Sequence, residues 1–285
     1  MPLSSRQGGA DALLRPTQAQ RVVAVLQTFM PTGPGIDLGR FVEPSAVSQR
    51  PFHDRGLASV GRLMDAVDVV TRTRLGTTVS ALRWREFGND WPRPIITVRG
   101  TAPGQRACGD AVFVGRHRRK ARIALIDGLG HGPAAAEAAM CGASHLDLTI
   151  ALRVEDAVMR THRALAGTRG AALAVIDLDA GRGRADAVVV GNVRLRMLDR
   201  NRTWTPTEID AVVGHEIGGR FPSLRVNETD AWDGILSGHT DGVRSHVDRA
   251  LTALSVVSVP GALALLGSHA AAANDATLLL AGHQA

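Results

Sequence analysis

The segment Arg122-Ile-Ala-Leu-Ile-Asp-Gly-Leu-Gly-His-Gly132 decides how the rest of the chain is interpreted. An apolar run ends at Asp127, three glycines follow within five residues, and Pro133 opens an alanine-rich stretch. Proline suits the first turn of a helix, so the pattern predicts a strand, a tight turn and a helix. Glycines in such a turn let a ligand approach the backbone closely. We therefore expect Asp127 at the end of a strand, in a position that suits a hard cation.

Three other interpretations of these glycines need weighing. A dinucleotide-binding fingerprint requires a third glycine where Pro133 stands, and the carboxylate of Asp127 would repel a pyrophosphate. A phosphate-binding P-loop requires a Gly-Lys-Ser/Thr ending, which does not follow. The third is a turn whose aspartate only caps the next helix. This stretch alone does not distinguish the helix cap from the metal ligand.

Composition limits the class of protein. The 285 residues, 45% of them hydrophobic, can bury a core and form one or two domains. No apolar run approaches the ~20 residues of a membrane span, and the first thirty residues lack the order of a secretion signal. We expect a cytoplasmic protein without a membrane partner. Cys108 and Cys141 form neither a disulfide framework nor a zinc-ligand spacing, so we expect them to pack. Nothing here indicates the oligomeric state.

The net charge of +6 raises the question of nucleic acid. Arginines and acidic residues are interspersed, tyrosine is absent and aromatic residues make up 4%, so stacking platforms are scarce and we expect no nucleic-acid partner. The densest basic patch, Arg116–Arg122, lies between two apolar runs and predicts a solvated hairpin turn. A phosphorylated or acidic protein partner is the alternative interpretation of this patch, because guanidinium groups pair well with phosphate.

Polar residues recur where other apolar runs begin or end. Asp110 begins the strand before the basic turn, so an antiparallel hairpin would bring its carboxylate to the same end as that of Asp127. Asp241 follows a later apolar run, and Asn274 and Asp275 precede the last one. Helices and strands come in blocks, which favours an α+β fold of antiparallel sheets flanked by helices. The predicted helices span about residues 133–146 and 153–166, and the predicted strands after them span 170–179, 184–190 and 193–198.

Six motifs, in this order, resemble the metal-dependent serine/threonine protein phosphatase (PPM) family, and within it the bacterial SpoIIE/RsbX type. They are Gly109-Asp110, Asp127–Gly132, Thr168–Ala172, Gly191-Asn192, Thr240–Gly242 and Asn274–Thr277. The resemblance implies an α-β-β-α sandwich over residues 91–285, with two Mn²⁺ or Mg²⁺ ions at one end of the paired sheets. It also implies a substrate: phosphoserine or phosphothreonine on a STAS-domain anti-anti-sigma or stressosome protein.

The resemblance assigns roles to single residues. Asp127 would bridge both metals. Its partners would be Asp110 and the carbonyl of Gly128 on one side, and Asp241 with the Asn274–Asp275 pair on the other. Of two further residues near the glycine turn, His131 would act as an acid or cap the helix, and Arg169 would meet the phosphate or brace a loop.

One position departs from the family. Asn274 stands where the family usually has an aspartate ligand. Asn274 therefore ligates weakly, or Asp275 reaches the metal instead, or that metal site is impaired. A non-catalytic pseudophosphatase that binds a phosphoprotein is accordingly the alternative function.

Residues 30–85 resemble part of a second family, the anti-sigma-factor serine kinases of the GHKL ATPase superfamily. The resemblance rests on a Gly-x-Gly turn, a Gly-Leu helix carrying Arg-Leu-Met-Asp, and a Gly-Thr-Thr strand. Pro31 stands where that family has its adenine-contacting aspartate, and too little chain precedes it for the magnesium-binding helix. We expect residues 1–90 to be a small, incomplete α/β kinase-like segment, a remnant or docking module that does not bind nucleotide. An ordinary small α+β packing unit is the alternative, and the sequence does not distinguish it from a docking module. The linker to the next domain is expected at Glu86–Pro94.

Overall fold

The computed structural model describes nine stretches of the chain. They are residues 22–30, 53–72, 75–84, 94–179, 181–198, 202–216, 219–230, 234–254 and 257–282. Pro31 lies outside them, as does the expected linker except for Pro94.

These stretches contain helices and strands in blocks, as expected. The helices are α1 His53–Leu63, α2 Pro133–Leu148, α3 Val154–Ala164, α4 Val247–Thr252 and α5 Val259–His269. The strands are β1 Val22–Met30, β2 Ala66–Arg72, β3 Gly76–Trp84, β4 Ile95–Gly100, β5 Asp110–His117, β6 Lys120–Gly128, β7 Ala171–Asp179, β8 Arg184–Val190, β9 Arg194–Leu198, β10 Thr203–Trp204, β11 Glu208–Ile209, β12 Asn227–Asp230, β13 Ile235–His239 and β14 Ala276–Ala281.

The strands form two sheets. The first has the order β1-β3-β2-β4-β14-β13-β9-β10, and the second has the order β11-β8-β7-β6-β5 with β12 also paired to β8. Neighbouring strands are antiparallel except for β2 with β4 and β11 with β8, which are parallel. The sheets are therefore mixed. The expected antiparallel pairing is found at the other described strand pairs but not at these two, where neighbours in the sheet are joined by longer connections.

Three apolar clusters fill the spaces between four layers. One lies between the two sheets and includes Leu125 and Leu279. A second joins α2 and α3 to the outer face of the second sheet. A third joins α4 and α5 to the outer face of the first sheet, with α1 at its margin. The α-β-β-α sandwich is thus confirmed, with the long apolar strands buried on both faces. No helix in the described stretches has the length and apolar character needed to cross a membrane.

The N-terminal strands continue the first sheet. Strand β2 pairs with β4 from Ala66 opposite Ile95 to Thr71 opposite Gly100. Helix α1 packs on α5, where a Cβ at Gly61 would lie 3.2 Å from Cγ2 of Val259. The kinase-like interpretation receives no support from this arrangement, because β1, β2 and β3 share their sheet with the rest of the chain. The domain boundary near residue 90 stays a prediction.

The basic patch forms the tip of the β5–β6 hairpin, as expected, but it is not wholly solvated. The turn lies at Arg118 and Arg119, and Arg118 has a φ of 55°. Arg122 is completely buried and pairs with Asp177 of β7 at 2.6 Å. The prediction of a solvated patch is therefore wrong for Arg122. Residues alternate between the two faces of a strand, so the side chain of Arg122 lies on the same face as Ala124 and Ile126, which α2 and α3 cover.

Candidate metal centre

Four aspartates lie where strands of the two sheets begin or end. Asp110 opens β5 and is directly opposite Asp127 of β6, which confirms the expected hairpin register. In the other sheet, Asp241 follows β13 closely and Asp275 immediately precedes β14. Strands β13 and β14 are antiparallel neighbours, so the end of one and the start of the other share an edge. The sandwich thus brings all four carboxylates to one end.

Asp110 is held by hydroxyl groups from the opposite sheet. Its Oδ2 atom accepts hydrogen bonds from Oγ1 of Thr240 at 2.8 Å and from Oγ1 of Thr277 at 2.7 Å. Both threonines are completely buried. Within the described residues, Oδ1 of Asp110 accepts no side-chain hydrogen bond, which leaves that oxygen available for a cation.

Asp275 has a different role from its neighbour in sequence. Its Oδ1 accepts a hydrogen bond from the backbone N–H of Ala102, and its Oδ2 accepts one from that of Gly109, both at 2.7 Å. Asn274 is exposed. Asp275 therefore braces the loop that leads into β5, and the exposed position beside the site belongs to the asparagine.

Asp241 is oriented by the residue pair Gly191-Asn192. Nδ2 of Asn192 donates to Oδ2 of Asp241 at 2.8 Å. The backbone N–H of Asp241 also lies close enough to the Asp127 carboxylate to oppose the rise in the pKa of that group. A short polar network therefore connects the β8–β9 turn, the end of β13 and the end of β6.

Two glycines permit the close approach of these segments. A Cβ at Gly128 would lie 2.1 Å from the carbonyl oxygen of Ala135 in α2. A Cβ at Gly242 would lie 1.8 Å from the carbonyl oxygen of Asp275. Contacts this short with backbone atoms cannot be relieved by rotating a side chain, so these positions require glycine for space.

The electrostatics of the site favour a bound cation. Burial, reinforced by repulsion from Asp110, Asp241 and Asp275, raises the pKa of Asp127 to about 9. Burial also raises the pKa of Asp110 to about 7, although its two threonine hydrogen bonds oppose the shift. The pKa of Asp275 is raised by burial as well. These carboxylates repel each other in a partly dehydrated place, and a divalent cation would remove that cost.

The donors fit a hard divalent cation in their chemistry. Carboxylate and carbonyl oxygens are the ligands that Mg²⁺ and Mn²⁺ take in proteins. As the side chains stand in the described part of the chain, no three His, Cys, Asp or Glu groups are gathered into a closed ligand cluster. The carboxylates therefore lie near one another without converging on a single point, and that of Asp275 accepts hydrogen bonds from two backbone amides.

Two further predicted residues lie beside the glycine turn. His131 is exposed and close enough to Asp275 to oppose the rise that burial causes in the pKa of that carboxyl. It does not cap α2, whose N-cap is Gly132 without a side-chain hydrogen bond. Arg169 is also exposed, and its Nη1 lies 2.7 Å from where a Cβ of Gly130 would be. Both side chains therefore border the site from the solvent side.

Some residues that build the site were quoted in motifs without a role, and others were missed. Thr240 and Thr277 belong to the first group, and their hydroxyl bonds to Asp110 depend on the packing of one sheet on the other. Asp68 and Arg99 belong to the second group. They form a buried ion pair beside Asp110. Each is a single charged residue within an apolar run, and this pattern does not predict that the two residues pair.

No protein-family model matches the chain, and no curated protein matches it. Solved structures do match. One, from a study of the bacterial stressosome as a modular system adapted to control secondary messenger signalling, is 27% identical; the match covers 66% of this chain and 97% of that one with a TM-score of 0.60. RsbX in complex with magnesium is 20% identical, with 68% and 96% covered and a TM-score of 0.60.

A further match is the PP2C phosphatase domain of SpoIIE from Bacillus subtilis with a fragment of its regulatory domain. It is 12% identical, with 93% of this chain and 82% of that one covered and a TM-score of 0.58. The catalytic domain of the serine/threonine phosphatase PstP, solved with two manganese ions, has a similar fold. This chain has the fold of PP2C-type phosphatases. The magnesium and manganese in those structures are the ions that the sequence resemblance implied.

Proposed function

We propose that the protein is a metal-dependent phosphatase that hydrolyses phosphoserine or phosphothreonine in another protein. The observation that carries this proposal is the convergence of Asp110, Asp127 and Asp241 at one end of a PP2C-type sandwich, where no cationic side chain of the described residues forms an ion pair with them. Bound Mn²⁺ or Mg²⁺ would polarise the phosphoryl oxygens and lower the pKa of a water molecule. This chemistry requires no serine or cysteine nucleophile.

Each ligand has a place in this proposal. Asp127 interacts with both Asp110 and Asp241, so it is the candidate to bridge two ions. Asp110 contributes the oxygen that its threonine partners leave open. The carbonyl of Gly128 is the further ligand on that side, and the backbone N–H of Gly128 donates to the carbonyl oxygen of Gly109 at 3.1 Å. The Asn274–Asp275 pair completes the second side, with Asn274 as the exposed ligand and Asp275 as the brace. Asn192 and the two threonines fix the directions of the carboxylates, as outer partners of metal ligands commonly do.

Arg169 and His131 act on the substrate. The Arg169 guanidinium beside the glycine turn would bind two oxygens of the phosphate, a geometry that its planar fork favours. His131 would donate a proton to the leaving serine or threonine oxygen. Both side chains lie at the surface of the site, where a phosphorylated protein segment can reach them.

For the substrate we propose a phosphorylated STAS-domain regulatory protein of bacterial stress signalling. The support is the similarity to a structure solved in work on the stressosome and to RsbX. A matched pair of substrates tests this step. A phosphorylated STAS domain should be dephosphorylated faster than a generic phosphoserine peptide at the same concentration; equal rates would remove the preference for the STAS domain.

The test of the function itself is phosphate release from a phosphoserine protein with Mn²⁺, with Mg²⁺ and with a chelator. Release that depends on the added metal supports the proposal. The asparagine at position 274 favours one second candidate, a pseudophosphatase. Binding of the phosphoprotein without phosphate release at saturating metal would establish that candidate in place of the enzyme.

A further inference from the structure

A buried ion pair joins the N-terminal strand β2 to β4, and its arginine also reaches the start of β5. In this pair, Nε of Arg99 donates to Oδ1 of Asp68 at 3.1 Å and Nη2 donates to Oδ2 at 2.5 Å. Arg99 is 1% exposed and Asp68 is 2% exposed. The two strands that carry them are parallel neighbours in the first sheet. The pair is thus bidentate and almost completely removed from water.

The third arm of the same guanidinium reaches the other sheet. Nη1 of Arg99 donates to the backbone carbonyl oxygen of Asp110 at 2.9 Å. Asp110 is the first residue of β5, and its side chain is held separately by Thr240 and Thr277. One arginine therefore ties the main chain of a candidate metal ligand to a carboxylate in the N-terminal part of the chain.

Stability alone is a weak reason for such a pair. Removing two charges from water costs more than many buried ion pairs return, and apolar replacements of similar volume are often as stable. The pair does provide direction. A planar guanidinium held at two points by a carboxylate has its remaining donor fixed in space, which a flexible ammonium group would not achieve.

We propose that Asp68 is a positioning residue of the metal centre, acting through Arg99 on the backbone of Asp110. This inference rests on the proposed function, since it assigns to Asp110 a metal-binding role. Strand β2 then belongs to the metal centre even though it supplies no ligand. Loss of the Asp68 carboxylate would let the guanidinium shift and loosen the segment that carries Asp110.

The experiment compares two buried arginine–aspartate pairs. Asp68→Asn removes the carboxylate near the site, and Asp177→Asn removes the equally buried partner of Arg122 at the far end of the β6 strand. The dissociation constant for Mn²⁺ is measured from the rise of Tm with Mn²⁺ concentration, without any substrate. We expect Asp68→Asn to weaken Mn²⁺ binding about 10- to 100-fold, the range found for partners of metal ligands, and Asp177→Asn to leave it unchanged.

A double variant keeps the test decisive if Asp68→Asn does not fold. Asp68→Leu/Arg99→Met removes both charges and leaves an apolar pair, but it also removes the bond to the Asp110 carbonyl. We expect it to fold and still to bind Mn²⁺ more weakly than the wild type. Wild-type Mn²⁺ affinity in the double variant, or an equal loss in Asp177→Asn, overturns the positioning role.

The thiol of Cys108 supplies a readout that needs no metal. Cys108 is buried, two residues before Asp110, so its reaction with a thiol reagent reports loosening of this segment. In a Cys141→Ala background, we expect Asp68→Asn to speed the reaction and Asp177→Asn not to. A wild-type protein that binds no Mn²⁺ overturns the proposed function, and with it the metal-binding part of this inference. Wild-type binding with unchanged Mn²⁺ affinity and thiol rate in Asp68→Asn overturns the positioning role alone.

Discussion

The two ends of strand β6 differ in whether their charged side chains are paired with opposite charges. At one end, Arg122 and Lys120 both meet Asp177, and the guanidinium also donates to the carbonyl oxygens of Thr149 and Leu152. At the other end, Asp127 faces Asp110 across the hairpin, and no cation of the described chain is paired with either carboxylate. Like charges directly opposite each other destabilise a strand pair. The compensated end is structural, and the uncompensated end is where we propose that metal ions bind.

The largest expected effect comes from a substitution at the uncompensated end of β6. Asp127→Asn should abolish metal-dependent phosphate release, because the central charge of the ligand set is lost. The same change should raise Tm in a chelator, since it removes a group that must either repel its neighbours or take up a proton on folding. Phosphate release and Tm are measured side by side on a phosphoserine protein. Wild-type turnover in Asp127→Asn would show that the carboxylates do not bind a catalytic metal.

The second prediction concerns a substitution at the compensated end of β6. Asp177→Asn leaves Arg122 buried without its carboxylate, and removing one partner of such a pair costs about 3–5 kcal/mol of stability. Chemical denaturation should show this loss, and the rise of Tm on adding Mn²⁺ should stay as in the wild type. Equal stability of variant and wild type would mean that water or another group hydrogen-bonds to the Arg122 guanidinium in place of the Asp177 carboxylate.

The third prediction uses pH to sharpen the contrast. The pKa of Asp110 is raised to about 7 and that of Asp127 to about 9, whereas an unfolded aspartate titrates near 3.9. Between these values the folded chain holds protons that the unfolded chain has released, so stability must fall as pH rises. Without metal, Tm should therefore decrease from pH 6.5 to 8.5. With Mg²⁺ the slope should flatten or reverse, because the metal competes with the protons.

A control variant separates this site from other titrating groups. Asp127→Asn removes the group with the higher pKa, so its metal-free Tm should depend less on pH than that of the wild type over the same range. An unchanged slope would assign the pH dependence to groups elsewhere in the molecule.

The sequence predicted the arrangement at the Asp127 end of β6 much better than that at the Arg122 end. The Asp110–Asp127 pairing follows from a short turn between two apolar runs, which fixes the register of a hairpin locally. The burial of Arg122 depends on helices α2 and α3 covering the outer face of β6, and local sequence does not show this. Arg99 and Asp68 were missed for a similar reason: their strands are parallel neighbours separated by some thirty residues of chain.

The site shows the same division between local and distant information. The glycine turn and the strand-end aspartates lie within short motifs, so their convergence could be predicted. The exposure of Asn274 and the burial of Asp275 could not be predicted, because adjacent residues before a strand face opposite ways and either could have faced inward. The hydrogen bonds of Asp275 to Ala102 and Gly109 join segments more than 160 residues apart.

The smallest expected effect concerns that exposed asparagine. Asn274→Asp should tighten Mn²⁺ binding about tenfold, because a carboxylate attracts a divalent ion more strongly than a neutral amide oxygen does. Without metal the variant should melt at a lower temperature than the wild type, since one more negative charge joins Asp241 and Asp275. Both changes are measured by titrating Mn²⁺ against Tm and against phosphatase rate.

Ala273→Asp is the matched control, because it adds the same charge at the neighbouring exposed position. Tighter binding in Asn274→Asp alone indicates ligation at position 274, whereas an equal gain in both variants indicates only general attraction. No gain in either variant would place position 274 outside the coordination shell and leave Asp275, despite its two amide hydrogen bonds, as the residue that must reach the metal.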